Sequence, residues 1–175
     1  MVFTEIVIIL FAGLMIWAAI SDIRHYILSN RLCLIVLLLY PAFLLALYLE
    51  RDTLSLGLVG WSVLIALILF AIGMLLFAMN VMGGGDVKLI PTVALWAGPA
   101  HVLDYLMIMA LTGGFLAAII LAKNRLIASK AAKYSENINF SMAKTEYAKV
   151  PYGVGIALGG LYVAFRLYMS LDGRV

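Results

Sequence analysis

The sequence predicts an all-α membrane protein, a bundle of about six transmembrane helices in which the fourth is short or broken. Composition is the first reason: 66% of the residues are apolar and 12% charged, and the mean hydropathy is +1.12. Soluble domains run to roughly 45–50% apolar and about 25% charged. The second reason is pattern. The apolar residues form continuous runs rather than an alternation, which excludes a β-barrel and leaves helices that satisfy their own backbone hydrogen bonds in lipid. The third is charge placement: the basic residues gather on alternate connections between the runs, as they do when one side of a multi-pass protein stays in the cytoplasm.

In chain order the apolar segments fall at about 3–21, 32–49, 58–80, 84–99, 102–122 and 150–170. About 20 helical residues cross a hydrocarbon core of roughly 30 Å, and five segments meet or approach that length. The first follows Met-Val-Phe-Thr-Glu and lacks the basic start of a secretory signal, so it is expected to be a retained helix. The fourth carries Pro91 and ends at Gly98-Pro99, so it spans only with the help of its neighbours.

Six crossings place Arg24, Arg31, Lys88, Lys123, Arg125, Lys130, Lys133, Lys144 and Lys149 on one side. Arg51, Arg166 and Arg174 fall on the other. The first side is then cytoplasmic and both termini face out, in an inner (cytoplasmic) membrane. Residues 1–175 are expected to form one polytopic domain. Its single sizeable polar stretch, at about 123–149, would be a cytoplasmic loop resting on anionic headgroups or helping to admit a substrate. Nothing points to a nucleic-acid partner.

Against this background two acids stand out. Asp22 opens the polar stretch Asp22-Ile23-Arg24-His25, and Asp86 follows Gly83-Gly84-Gly85. A carboxylate beside a bilayer is costly unless paired, hydrated or protonated, so each is a candidate functional residue. Taken singly, each has a plain structural reading: Asp22 as a solvated helix end, Asp86 as the cap of the next helix after a glycine turn. The glycines permit unusual backbone conformations or close approach. Arg24 could hold Asp22 ionised or anchor the helix in the headgroups, and Asn30 reads as a cap or turn residue.

Predicted topology puts both aspartates on one face. Two neighbouring carboxylates that cannot easily both ionise suit hydrolysis, one acting as base for a water and the other, protonated, as acid. The same pair would suit a small proton-coupled transporter. No metal or cofactor is called for: Cys33 is the only cysteine and the two histidines are His25 and His101. Gly155, Gly159 and the Gly113-Gly114 pair read as helix-packing positions. Asp104 and His101 are expected near the outer face.

These motifs resemble a known family. Asp22-x-Arg24 followed by Leu28-Ser29-Asn30 is similar to the Asp-x-Arg…Ile-Pro-Asn stretch of the type IV prepilin peptidases. Gly83-x-Gly85-Asp86-Val87-Lys88 is similar to their Gly-x-Gly-Asp-x-Lys motif, and Pro151-Tyr152-Gly153 to their Pro-Phe/Tyr-Gly element. Ser29 departs from the pattern by replacing a proline, which alters a turn and leaves the acids in place.

The resemblance implies a membrane aspartic endopeptidase that removes the short basic leader of a prepilin at the cytoplasmic face. Asp22 and Asp86 would be the catalytic pair, with Arg24, Asn30, Gly83, Gly85, Lys88, Pro151 and Gly153 in support. Larger members add a domain with paired Cys-x-x-Cys motifs and methylate the new N-terminus. With one cysteine, this chain resembles the minimal peptidases that serve Flp-type (tight-adherence) pili, with archaeal preflagellin peptidases as the alternative.

Overall fold

A computed structural model describes residues 2–51, 55–134 and 151–171. Among them all regular structure is helical: α1 (Val2–His25), α2 (Asn30–Arg51), α3 (Leu56–Ala78), α4 (Gly84–Tyr134) and α5 (Tyr152–Leu171). All five are long and apolar enough to cross a membrane. The polar segment read as a loop falls partly within α4, and its residues 135–149 lie outside the described ones.

Five helices and six predicted crossings are reconciled inside α4. Its 51 residues would extend about 75 Å if straight, far beyond a roughly 30 Å core. Gly98 breaks it, with φ 59° and ψ −175°, a conformation essentially closed to residues with a side chain. The chain then doubles back: Tyr105 Oη donates to the Ile90 carbonyl at 3.3 Å, and Met109 and Gly113 share a cavity with Asp86. A straight helix would hold residues 86 and 113 about 40 Å apart. Pro91, by contrast, is accommodated within the first arm without ending it.

The first arm, residues 84–97, is only about 21 Å long, which bears out the short fourth segment. Its turn lies beside Ser62, whose Oγ would stand 3.2 Å from a Cβ on Gly98. That level is about 9 Å inside the start of α3. The depth left over is occupied by a cavity of about 350 Å³ whose walls include Ser55, Ser62, Pro99, His101 and Ser170.

α3 runs antiparallel to the first arm of α4, and α5 to the returning arm and to α1. By contrast, α2 runs parallel to the first arm, with Asn30 beside Lys88 and Val36 beside Trp96. Gly73 of α3 faces Val87, Gly159 of α5 faces Tyr105, and Gly160 faces Met15 of α1. A Cβ at Gly159 would come within 2.7 Å of the Tyr105 ring, and one at Gly160 within 2.6 Å of Met15 Sδ. Small residues give close packing here because lipid offers no hydrophobic drive to hold helices together. Large apolar side chains such as Ile9, Leu38, Leu67 and Phe115 point outward.

The centre is locked by Trp96. Its ring stacks on Phe11 at 4.2 Å and 8°, Tyr40 and Phe43 flank it, and Nε1 donates to the Val36 carbonyl at 3.1 Å. This cluster joins α1, α2 and the first arm of α4. At the end remote from Asp22, the Glu50 carboxylate accepts from Phe3 N at 2.8 Å, Thr4 N at 3.3 Å and Thr4 Oγ1 at 2.6 Å. It thereby caps the start of α1 with the end of α2.

Candidate functional site

Three chain segments build the site at one end of the bundle. The first is the turn after α1. Tyr26 takes the left-handed conformation (φ 52°), its N–H donates to the Asp22 carbonyl at 2.9 Å, and Ser21 Oγ donates to the Ile27 carbonyl at 2.9 Å. Leu28 is buried. Ser29 Oγ accepts from Leu32 N at 3.2 Å, so the cap of α2 is Ser29, not Asn30. The side chain of Asn30 is thereby released for another partner, and Lys88 Nζ donates to its Oδ1 at 2.8 Å. One hydrogen bond therefore joins the two polar motifs.

The second segment is the α3–α4 turn. Its left-handed residue is Asn80 (φ 57°); Val81 N donates to the Leu76 carbonyl at 3.0 Å and Asn80 N to the Phe77 carbonyl at 2.9 Å, the Schellman ending of a helix. Gly83, Gly84 and Gly85 all keep negative φ. Their use is proximity: a Cβ at Gly85 would stand 2.7 Å from Leu28 Cβ. Gly83 accepts from Val87 N at 3.2 Å and so occupies the cap position. Asp86 lies in the first turn, not at the cap, and its carboxylate reaches back to the Gly83 N–H, as the third helical residue does in a capping box.

The third segment is the start of α5. Pro151 is buried, with its carbonyl accepting from Val154 N at 3.3 Å. The backbone N–H groups of Gly153 and Val154 face the Asp22 carboxylate. A helix N-terminus of this kind favours an anion through its free N–H groups and its dipole. A residue larger than Gly153 would have to displace Asp22: its Cβ would meet Oδ2 at 2.7 Å and Cγ at 2.8 Å.

Asp22 is 6% exposed, and its Oδ2 is buried without a hydrogen-bond partner among the described residues. Asp86 is half-buried and shares a cavity with Tyr152, the neighbour of the Gly153 that touches Asp22. Arg24 is exposed. Side chains two apart on a helix do not share a face, so the polar neighbours of Asp22 come from α5 instead. His25 is also exposed. Asp104, which accepts from Tyr162 Oη at 2.9 Å, belongs to the remote half. Among the described residues no three His, Cys, Asp or Glu side chains gather in a way that could hold a metal ion.

Two apolar hollows flank the first arm of α4. A groove of about 710 Å³ lies between α2 and α3, with Lys88 and Asn30 among its lining residues. On the opposite side, Asp86 opens into a cavity of about 220 Å³ between α4 and α5. Gly113, Gly114, Met109 and Tyr152 line it. The sequence marked the two glycines as packing positions, and its only signal for a cavity was their adjacency.

Among known proteins, a family model describing the type IV leader peptidase family matches residues 9–122. This stretch includes both aspartates and ends before Pro151. No curated protein and no solved structure matches the chain.

Proposed function

The chain belongs to the type IV leader peptidase family, and from that premise we propose that it is an aspartic endopeptidase in which Asp22 and Asp86 activate water. Family membership makes it a peptidase acting on pilin-like substrates in a membrane. The observation that carries the finer reading is that two carboxylates 64 residues apart in sequence meet the same helix end, Asp22 lying against Gly153 and Asp86 lining a cavity with the adjacent Tyr152, in a setting of apolar helices.

The chemistry needs one aspartate ionised and one protonated. The ionised carboxylate takes a proton from a water, whose oxygen adds to the scissile carbonyl carbon. The protonated carboxyl hydrogen-bonds the carbonyl oxygen as negative charge develops on it. Collapse of the tetrahedral intermediate breaks the C–N bond, and the departing amine takes up a proton, leaving a new carboxyl and a new amino terminus. The Asp22 Oδ2, buried and unpartnered among the described residues, supports this reading, since it keeps acceptor capacity for a group that substrate binding brings to it while the α5 amides address the carboxylate.

The substrate in this reading is a prepilin of the Flp type, with an apolar helical stem in the bilayer and a short basic leader outside it. Cleavage occurs at the boundary between the two, which accounts for acids at helix ends rather than at mid-bilayer. The excess of basic residues on the connections that share the aspartates' side supports a cytoplasmic site in the inner membrane.

The test is incubation of the purified, lipid-reconstituted protein with a prepilin carrying such a leader. Cleavage by the wild type, reduced on the order of 10³-fold or more by Asp22→Asn and by Asp86→Asn, is the expected result. Intact precursor together with measurable proton flux through the protein would overturn the reading in favour of a carrier.

A further inference from the structure

The larger of the two hollows lies on the face of the first arm turned away from Asp86. Lys88, Pro91, Thr92 and Leu95 form its floor, at the i, i+3, i+4 and i+7 spacing of one helix stripe. Asp86 and Ile90 line the other hollow, and side chains two apart, as Asp86 and Lys88 are, do not share a face. The same spacing recurs on α2 from Asn30 to Leu37 and on α3 from Val63 to Phe70. Among the described residues no Cα of α2 comes within 8 Å of one in α3. The two helices therefore stand apart as the walls of a trough of about 710 Å³.

Polarity is graded along this trough. Asn30 and Lys88 mark one end, where α2 and the first arm both begin. Deeper polar atoms are turned to the backbone: Thr92 Oγ1 donates to the Lys88 carbonyl at 2.7 Å, and the Cys33 thiol faces the Gly85 carbonyl at 4.0 Å. The walls otherwise present exposed apolar side chains, among them Leu34, Leu37, Leu67 and Phe70. Lys88 is the only charged residue of the lining. Among the described residues its ammonium spends one donor on Asn30, which leaves two for an anion.

Charge and depth assign the occupant. Each stripe is about 10 Å long, within the roughly 15 Å of hydrocarbon in one leaflet. A ligand matched to the trough has an anionic head at the Lys88 end and an apolar tail running inward. We propose that the trough binds an anionic phospholipid of the leaflet on the aspartates' side, with its phosphate on Lys88 and an acyl chain between α2 and α3. The stem of a substrate does not suit it, because a chain seated there lies behind the arm that carries Asp86. The inference goes beyond the peptidase reading and does not depend on it.

The test reconstitutes the full chain in phosphatidylcholine vesicles with a trace of a photoactivatable lipid carrying a diazirine midway along one acyl chain. Two probes are compared, phosphatidylglycerol and phosphatidylcholine, and the labelled residues are mapped by peptide mass spectrometry. The trough, read at Leu34 and Leu67, is labelled about 5-fold more by the anionic probe, the preference expected for one lysine at an anionic headgroup. Ile16 and Phe115, exposed on other sides of the bundle, are labelled alike by both probes. Lys88→Gln equalises the two probes at the trough, Lys88→Arg keeps the preference, and excess inorganic phosphate changes neither.

Equal labelling of the wild-type trough by both probes, or the same anionic preference at Ile16 and Phe115, overturns the assignment. So does a preference that survives Lys88→Gln. Loss of trough labelling on adding inorganic phosphate would make Lys88 a site for a free anion, and loss on adding an apolar helical stem peptide would make the trough a polypeptide groove; either result overturns the lipid.

Discussion

Gly153 and Asp22 meet so closely that a single methyl group on the glycine would stand 2.7 Å from a carboxylate oxygen. The absence of a side chain brings the N-terminus of α5 onto the acid, with the Gly153 and Val154 amides facing it. This contact gives the Pro151-Tyr152-Gly153 element a physical reason: the buried proline precedes the helix, and the glycine lets its end touch the end of α1.

Gly153→Ala is accordingly expected to displace the Asp22 carboxylate while leaving the bundle folded, because both residues lie at helix ends. A displacement of about 1 Å at a reacting group costs on the order of 10²-fold in rate. Precursor cleavage should fall by that amount with little change in thermal denaturation in detergent. Near-wild-type turnover would show that Asp22 does not need this position.

A carboxylate pair that works in its singly protonated state gives a bell-shaped dependence of kcat on pH. Acidification protonates both groups and removes the base; alkalinisation ionises both and removes the acid. The two limbs belong to the pair as a unit. Turnover measured across the stable pH range should rise and then fall, and a profile flat throughout would count against the dyad.

The reversal at Gly98 is a conformational demand of a different kind. At φ 59° and ψ −175°, a residue with a Cβ is strained by about 1–3 kcal/mol, and here the Cβ would also crowd Ser62 Oγ at 3.2 Å. Gly98→Ala should lower the stability measured by denaturation by that amount or more. An unchanged midpoint would mean that the hairpin does not depend on this conformation.

Asn30 and Lys88, joined at 2.8 Å, should be energetically coupled. Asn30→Leu and Lys88→Met, made singly and together, form a double-mutant cycle. The expected coupling in stability is about 0.5–1 kcal/mol, small because the bond is exposed to water. Strict additivity would make the contact incidental.

The readable part of the site was its inventory. The motifs around Asp22 and Asp86 stand out because acid and consecutive glycines are rare in apolar runs. The roles of individual supporting residues were less readable. Asn30 read as a cap or turn residue; the cap is Ser29, and Asn30 bonds Lys88 instead. The glycine triplet suggested unusual backbone angles or close approach; the left-handed residue of that turn is Asn80, and close approach is what Gly85 provides, with Leu28 lying against it. Local pattern identifies a residue that is out of place; it does not identify what the residue touches.

By itself, the sequence determined that the protein is a helical membrane bundle, where its apolar segments begin and end, and that the fourth is short with a break at Gly98-Pro99. These follow from hydropathy, length and backbone chemistry, all local. Tertiary structure alone decided which residues the two arms of α4 bring together, that Gly153 seats Asp22, and that Gly114 lines a cavity beside Asp86. The reason is the solvent. In water the buried face of a helix is apolar and the outer face polar, so the sequence reveals which side turns inward. In lipid both faces are apolar, and only the packing of one helix on another distinguishes Met109 at the cavity from Phe115 at the lipid surface.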